Sequence, residues 1–229
     1  VEGDTGASLT GLIHWPQLHD RFATHFVPFS EFEEDAAAGN LPDFAMIEPN
    51  LLVGHGDYHP AAGAALVKGL DLDVDVPSSI LSGDAFLQRI FDAYRGMRSP
   101  TGANVWNTTL LIGWDEPGGT YDHVPPGPVP APDQAAPAGQ MGFRFDRSGY
   151  RVPAIVVSPW VEPGSVYTDE HRHTSLLATM RALWDIGDAF TERDKAAKPI
   201  DYVFSRETPT DPDAWGVPRA NPVPQWHVD

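Results

Sequence analysis

Cysteine is absent from the 229-residue chain. That excludes a disulfide framework and any thiol chemistry, and it leaves the redox compartment open. Basic residues are scarce: 15 Lys and Arg stand against 32 Asp and Glu, a formal charge of −17. Nucleic acid is therefore not expected as a partner, because backbone binding needs clustered cations. An anionic membrane surface would repel the chain as a whole. An anionic substrate remains compatible if a bound cation reverses the local field, and the acidity otherwise serves solubility. No apolar run reaches the roughly 20 residues of a membrane-spanning helix. Nor is there an initiator Met or a signal-peptide pattern ahead of Val1, as expected of a mature or trimmed product.

What is present allows one large or two small domains with a real core. An apolar content of 41% with 10% aromatics argues against global disorder, and 23 Pro with 21 Gly imply long, shaped loops. Ser30 followed by Glu33 is a capping-box pattern for a short helix ending near Gly39. Phe44–Ile47 reads as a short buried strand that delivers Glu48 at its end. Phe86, Leu87, Ile90, Phe91 and Tyr94 recur at helical spacing, predicting a helix over Ser82–Arg98. Thr108–Trp114 and Val152–Ser158 are continuous apolar runs, suited to strands buried on both faces. Leu176, Leu177, Met180, Leu183 and Trp184 mark a helix over Thr174–Ile186. Pro125–Pro137 reads as a loop or lid, and no internal repeat occurs. Trp114, Trp160 and Trp184 read as core. Strands separated by helices predict an α/β fold with a mostly parallel sheet flanked by helices. Ligands in such sheets sit beyond the carboxyl ends of strands, where Glu48 and Asp115-Glu116 fall.

The densest chemistry lies in Thr108–Pro126, TTLLIGWDEPGGTYDHVPP. An apolar run stops at Asp115-Glu116, a Pro-Gly-Gly turn follows, and Asp122-His123 comes next. Adjacent residues inside a strand face opposite sides. At a strand end before Pro117 the backbone can turn and let both carboxylates converge, and Gly118-Gly119 permit close approach to a ligand. Converging carboxylates repel and call for a cation; the alternative is a solvated Asp-Glu turn. His123 can ligate metal, hold phosphate oxygens when protonated, or donate a proton to a leaving group; alternatively it is a turn histidine. Glu48, His55, Asp57 and His59 form a second polar cluster, a metal or phosphate loop or else a solvent loop. His171 and His173 precede a helix whose start, His173-Thr174-Ser175, combines N-cap chemistry with a natural anion site. Capping accounts for Thr174 and leaves the histidines unexplained.

Asp115–Val124 fits the pattern D-E-x-x-G-x-x-D-H-V, and Gly149–Gly164 fits G-x-R-V-P-x-x-x-x-S-P-W-x-x-x-G. Together they resemble the phosphoesterase family of non-specific phospholipases C and related acid phosphatases. Glu48-Pro49-Asn50, His59-Pro60 and the His173-Thr174-Ser175 helix entry resemble bacterial members. The resemblance runs from about Gly11 to about Phe190. It implies an alkaline-phosphatase-like fold and metal-dependent hydrolysis of phosphate esters through a phospho-enzyme. The expected activity is of phospholipase C type, on phospholipid or glycerophosphodiester headgroups; the alternatives are an acid phosphatase for monoesters and a non-catalytic binding fragment. Asp115 and Glu116 match the family's metal ligands. His123 matches a histidine near the phosphate. His59 and His173 are carried over as supporting catalytic residues, and Glu48 and Asp122 as phosphate-site residues.

The family's opening E-N-R-S-F-D-type segment and its T-x-P-N-R-type nucleophile segment have no counterpart in this sequence. Residues 1–198 are therefore read as the C-terminal portion of a catalytic domain, and 199–229 as an extended Pro-rich tail packed on it. The expected partners are a phosphate-ester substrate and an N-terminal fragment carrying the nucleophile, with transient contact at a lipid surface. The expected cofactor is a divalent metal, Ca, Mg, Mn, Fe or Zn, with hard cations suiting the carboxylates. Family resemblance implies a secreted or extracytoplasmic location.

Overall fold

A computed structural model describes residues 9–51, 56–59, 79–133 and 137–222. The chain divides into two units, Val1–Thr108 with Asp211–Asp229, and Thr109–Thr210.

The first unit is helical. Three short elements lead in: α1 (Leu9–His14), a 3-10 turn over Pro16–Arg21, and α2 (Phe22–His25). Then follow α3 (Phe29–Ala38) and α4 (Ile80–Arg95). The apolar spacing expected of α4 is realised: Ile90 and Tyr94 are buried with Ala36, Met97 and Val105. Phe29 packs on Phe86 at 4.8 Å between ring centroids. The Arg89 guanidinium lies 4.6 Å above Phe29 and makes two hydrogen bonds to Glu33, of 3.2 and 2.7 Å. That pair fixes how α4 sits on α3. Tyr94 donates to the Thr108 carbonyl at 3.0 Å, and burial raises its hydroxyl pKa above the ordinary value.

The capping box at Ser30 is not used. Helix α3 starts two residues earlier, with Pro28 at its N-cap and no side-chain cap. Glu33 is committed to Arg89, so it cannot reach back to the Ser30 amide. Helix α4 does carry a side-chain cap, where Ser79 Oγ accepts from Leu81 N at 3.2 Å. Phe44–Ile47 forms no strand, and Phe44 and Met46 are exposed. An extended segment without a strand partner has no ladder to join.

Gly39 ends α3 in the left-handed region at φ 82°. A Cβ there would fall onto the Ser99 side chain. Gly39→Ala is expected to destabilise the first unit by about 1–3 kcal/mol, combining the left-handed backbone cost with the clash. Urea unfolding of the whole chain checks this, and a midpoint unchanged from the parent would contradict it.

The second unit carries β1 (Leu110–Gly113), β2 (Ala154–Val157), α5 (Thr174–Trp184) and α6 (Glu192–Lys195). Helices and strands are thus mixed, and the sheet formed among the described residues is antiparallel. β1 and β2 pair antiparallel, with Leu110 opposite Val157 and Gly113 opposite Ala154. A parallel return needs a crossover, usually a helix. Among the described residues, the connection between these strands holds only a 3-10 turn at Gln140–Gly142. The strands are also less covered than their apolar sequence predicts, since none of their residues is fully buried. Trp184 is 42% exposed rather than core. Residues 199–210 of the Pro-rich tail belong to this unit and 211–222 to the first.

Candidate active site

The antiparallel register decides what the site contains. It brings the exit of β1 beside the entrance of β2, so the loop that follows Gly113 adjoins the residues that precede Ala154. Asp115 and Glu116 occupy the first of these. Each carboxylate folds onto its own loop: Asp115 Oδ1 accepts from Glu116 N, and Glu116 Oε2 accepts from Gly118 N, both at 2.9 Å. Pro117 O then accepts from Thr120 N at 3.2 Å, closing a turn with Gly118 at φ 63° and Gly119 at φ 77°. Both carboxylate residues are exposed.

Asp122 is held differently. Its Oδ2 accepts from Arg151 Nε and its Oδ1 from Arg151 Nη2, each at 2.8 Å. Val124 N donates to the same Oδ1 at 3.0 Å. The guanidinium of Arg151, helped by that amide, holds the Asp122 carboxyl well below the usual carboxylate range. His123 projects outward with Nδ1 3.7 Å from Asp122 Oδ1. Pro117, Thr120, Tyr121, Asp122, Arg151 and Val152 line an open depression of about 330 Å³.

Arg151 is the residue that sequence reasoning missed. It stands third in the Gly149–Gly164 motif, but its role depends on a partner 29 positions away. As an exposed cation inside a strongly acidic chain, it is the group in this depression suited to an anionic oxygen. Arg151→Gln is expected to return the Asp122 carboxyl toward its ordinary pKa, since the largest cause of its lowering is removed. A carbon-detected NMR titration of Asp122 reads this, and an unmoved titration would show that Arg151 does not set it.

His173 anchors the other side. Its Nε2 lies 2.9 Å from the Trp114 carbonyl. A carbonyl only accepts, so Nε2 carries a proton. The start of α5 is thereby pinned one residue before Asp115. The expected capping by Thr174 is corrected. Thr174 Oγ1 is buried without a hydrogen-bond partner among the described residues, whereas Ser175 Oγ accepts from Arg172 N at 3.0 Å. Ser175 fits because it sits three residues after that amide. His171 is tied elsewhere: its ring stacks on Tyr202, with Nδ1 3.0 Å from Asp169 O and Nε2 3.2 Å from the Tyr202 hydroxyl.

The remaining candidates lie in the first unit. Glu48 Oε1 accepts from Thr10 N at 3.2 Å. His59 is exposed, and its amide donates to Asp57 Oδ1 at 3.1 Å. The neighbouring Tyr58 donates to Asp84 Oδ1 at 2.7 Å. His55 lies outside the described residues.

Asp115 and Glu116 supply hard oxygen donors of the kind Ca²⁺ or Mg²⁺ prefers. Their number falls short of a complete cage: among the described residues, no group of three or more His, Asp or Glu is placed to hold a metal. The two carboxylates suit a divalent cation only together with further ligands.

Comparison with known proteins agrees with the motifs. The family model described as the phosphoesterase family matches residues 11–187. Non-specific phospholipase C6 of Arabidopsis thaliana is 36% identical over 191 residues, covering 78% of this chain and 33% of that protein. Non-specific phospholipase C3 of the same plant is 32% identical over 193 residues, with 78% and 33% covered. Phospholipase C A of Mycobacterium tuberculosis (strain H37Rv) is 32% identical over 167 residues, with 68% and 28% covered. The chain thus spans about a third of the length of the curated relatives it matches. With most of its length matched by the family model, the chain belongs to the phosphoesterase family.

Proposed function

We propose that this chain forms the metal-binding portion of a phosphoric ester hydrolase of phospholipase C type, acting on phospholipid or glycerophosphodiester headgroups. The observation that carries the reading is the Asp122–Arg151 pair lining the depression, with Asp122 on the loop that Asp115 and Glu116 open as it leaves β1. The names of the relatives favour a diesterase over an acid phosphatase for monoesters.

Asp115 and Glu116 would hold the divalent cation, which when bound stabilises negative charge on a phosphoryl oxygen. Arg151 keeps Asp122 charged and in place through Nε and Nη2 and offers its remaining N–H groups to the same anionic centre. His123, exposed beside Asp122, moves the proton to the departing alcohol oxygen. His173 positions the Asp115 loop through Trp114. Glu48 and His59 are assigned supporting roles in binding phosphate and in catalysis. The nucleophile is supplied by an N-terminal segment of the same enzyme, which also completes the metal site and the alkaline-phosphatase-like sheet. Residues 1–198 form the C-terminal portion of that catalytic domain, with 199–229 as its tail. The proposed location is extracytoplasmic.

The test is turnover by the complete enzyme of a phosphocholine diester against a phosphate monoester. Faster diester hydrolysis supports the reading, and monoester preference assigns an acid phosphatase. Hydrolysis of neither, by a preparation holding its metal, identifies a non-catalytic binding fragment.

A further inference from the structure

The β1–β2 connection holds a segment that the proposed chemistry does not use. Gln140–Arg147 reads Gln-Met-Gly-Phe-Arg-Phe-Asp-Arg. Its tip is apolar and turned to solvent: Met141 is 108% exposed, Phe143 43% and Phe145 44%. Met141 and Phe145 both hold positive φ, 56° and 57°, a costly backbone for side chains of this size.

The loop is tied down at several points. Gly139 N donates to Phe143 O at 2.7 Å, Val129 N to Asp146 O and Ser148 N to Gly127 O at 2.9 Å each. Arg193 Nε donates to Pro130 O at 2.9 Å, and Arg193 Nη2 donates to Phe145 O. Phe143 and Phe145 pack on each other at 5.0 Å. An apolar tip held this way loses little further conformational freedom on binding.

Its charge runs against the rest of the chain. Between Gln140 and Arg151 stand Arg144, Arg147 and Arg151 against the single Asp146, within a sequence of formal charge −17. Arg147 and Arg151, the latter lining the depression, are separated by at most roughly 14 Å of chain.

We propose that the Gln140–Arg147 loop is a phospholipid-surface contact, with Met141 and Phe143 entering the interface and Arg144 and Arg147 pairing with lipid phosphates. Thioether and aromatic side chains suit the boundary below the headgroups, and arginine pairs with phosphate at that level. Charge complementarity selects this occupant: a cationic, apolar-tipped loop meets a phosphate layer that the remaining acidic surface would avoid. The inference rests on the phospholipase reading, because it makes the substrate's own bilayer the partner.

Vesicle flotation of the whole chain tests it and needs no turnover. Vesicles of phosphatidylcholine, with and without phosphatidylglycerol, are the probe. Met141→Ser/Phe143→Ser is expected to lower the vesicle-bound fraction about tenfold or more. Arg144→Glu is expected to cost about fivefold or more on the anionic vesicles and less on pure phosphatidylcholine. Both variants change exposed side chains, and circular dichroism with thermal melting checks that the fold is kept. If the parent floats with neither vesicle, or the double variant floats as well as the parent, the proposal is wrong. A parent that self-associates in sedimentation velocity, with the double variant monomeric and vesicle binding absent, assigns the patch to a second copy and overturns it as well. Turnover of soluble glycerophosphocholine by the complete enzyme reports separately on the phospholipase reading.

Discussion

Asp115→Ala in the complete enzyme is expected to lower turnover by about 10³-fold and to strip most of the bound divalent metal, a loss of about 4 kcal/mol of transition-state stabilisation. The magnitude follows from the geometry. Asp115 and Glu116 sit on a turn preset by Asp115 Oδ1 with Glu116 N and Glu116 Oε2 with Gly118 N. Each carboxylate therefore arrives with one oxygen anchored to the loop. Removing one halves the charge this chain brings to the cation and frees the Glu116 amide, which has no other role in the turn. Asp115→Asn keeps the amide acceptor and loses only the charge, so it should fall between the parent and Asp115→Ala. Asp43→Ala, at an exposed loop position of the first unit, is the control for a general loss of acidic charge and should leave both readouts near the parent. Elemental analysis of the purified enzyme together with diester turnover decides the matter. Metal content and turnover both at parental levels in Asp115→Ala would sink the assignment.

The second large effect is on stability. Asp194 is 1% exposed and accepts hydrogen bonds from Arg181 Nη1 at 2.9 Å, Arg181 Nη2 at 2.6 Å and Phe190 N at 3.0 Å. Its amide also donates to Thr191 Oγ1 at 3.1 Å, which starts α6. Removing the carboxylate strands a largely buried guanidinium and an amide. Breaking a buried pair from one side costs about 3–5 kcal/mol, a large share of the 5–15 kcal/mol typical of a domain. Asp194→Ala should therefore lower the urea midpoint of the second unit markedly. Asp194→Asn should cost less, since its carbonyl can still accept. The hydrogen bonds from Arg181 hold the Asp194 carboxyl below its ordinary pKa. A carboxyl depressed in the folded state stabilises above the unfolded value of about 4 and loses that contribution as pH falls below it. The parent should show this acid-side loss, and Asp194→Asn should show less of it. A midpoint shift worth under about 1 kcal/mol in Asp194→Ala would show the pair to be dispensable.

Helix α4 was legible because burial on one face repeats every three or four residues and needs no knowledge of the partner. The same spacing located α5, but the face it buries carries Ser175 and Thr179 while Leu183 and Trp184 are exposed. The Asp115-Glu116 pair was legible because a strand end, a proline and two glycines are local features. The capping box at Ser30 misled, because Glu33 has a stronger use: a two-point bond to Arg89, 56 positions away. The strand at Phe44–Ile47 misled for a related reason. Apolar composition permits a strand, but only a neighbouring strand makes one. Arg151 lies in a motif that does not reveal its role and Asp194 carries no local signal, since both owe their roles to partners that the fold supplies.

The sequence by itself determined the chemistry on offer: two adjacent carboxylates, an Asp-His pair, family motifs and the periodic faces of the main helices. These follow from residue type and short-range spacing, which the chain carries before it folds. Only the tertiary structure decided that β1 and β2 run antiparallel, that Arg151 therefore meets Asp122, and that His173 reaches Trp114. Strand direction and long-range pairing depend on where the intervening segment returns. That return is set by the total packing of the unit and not by any one stretch of sequence.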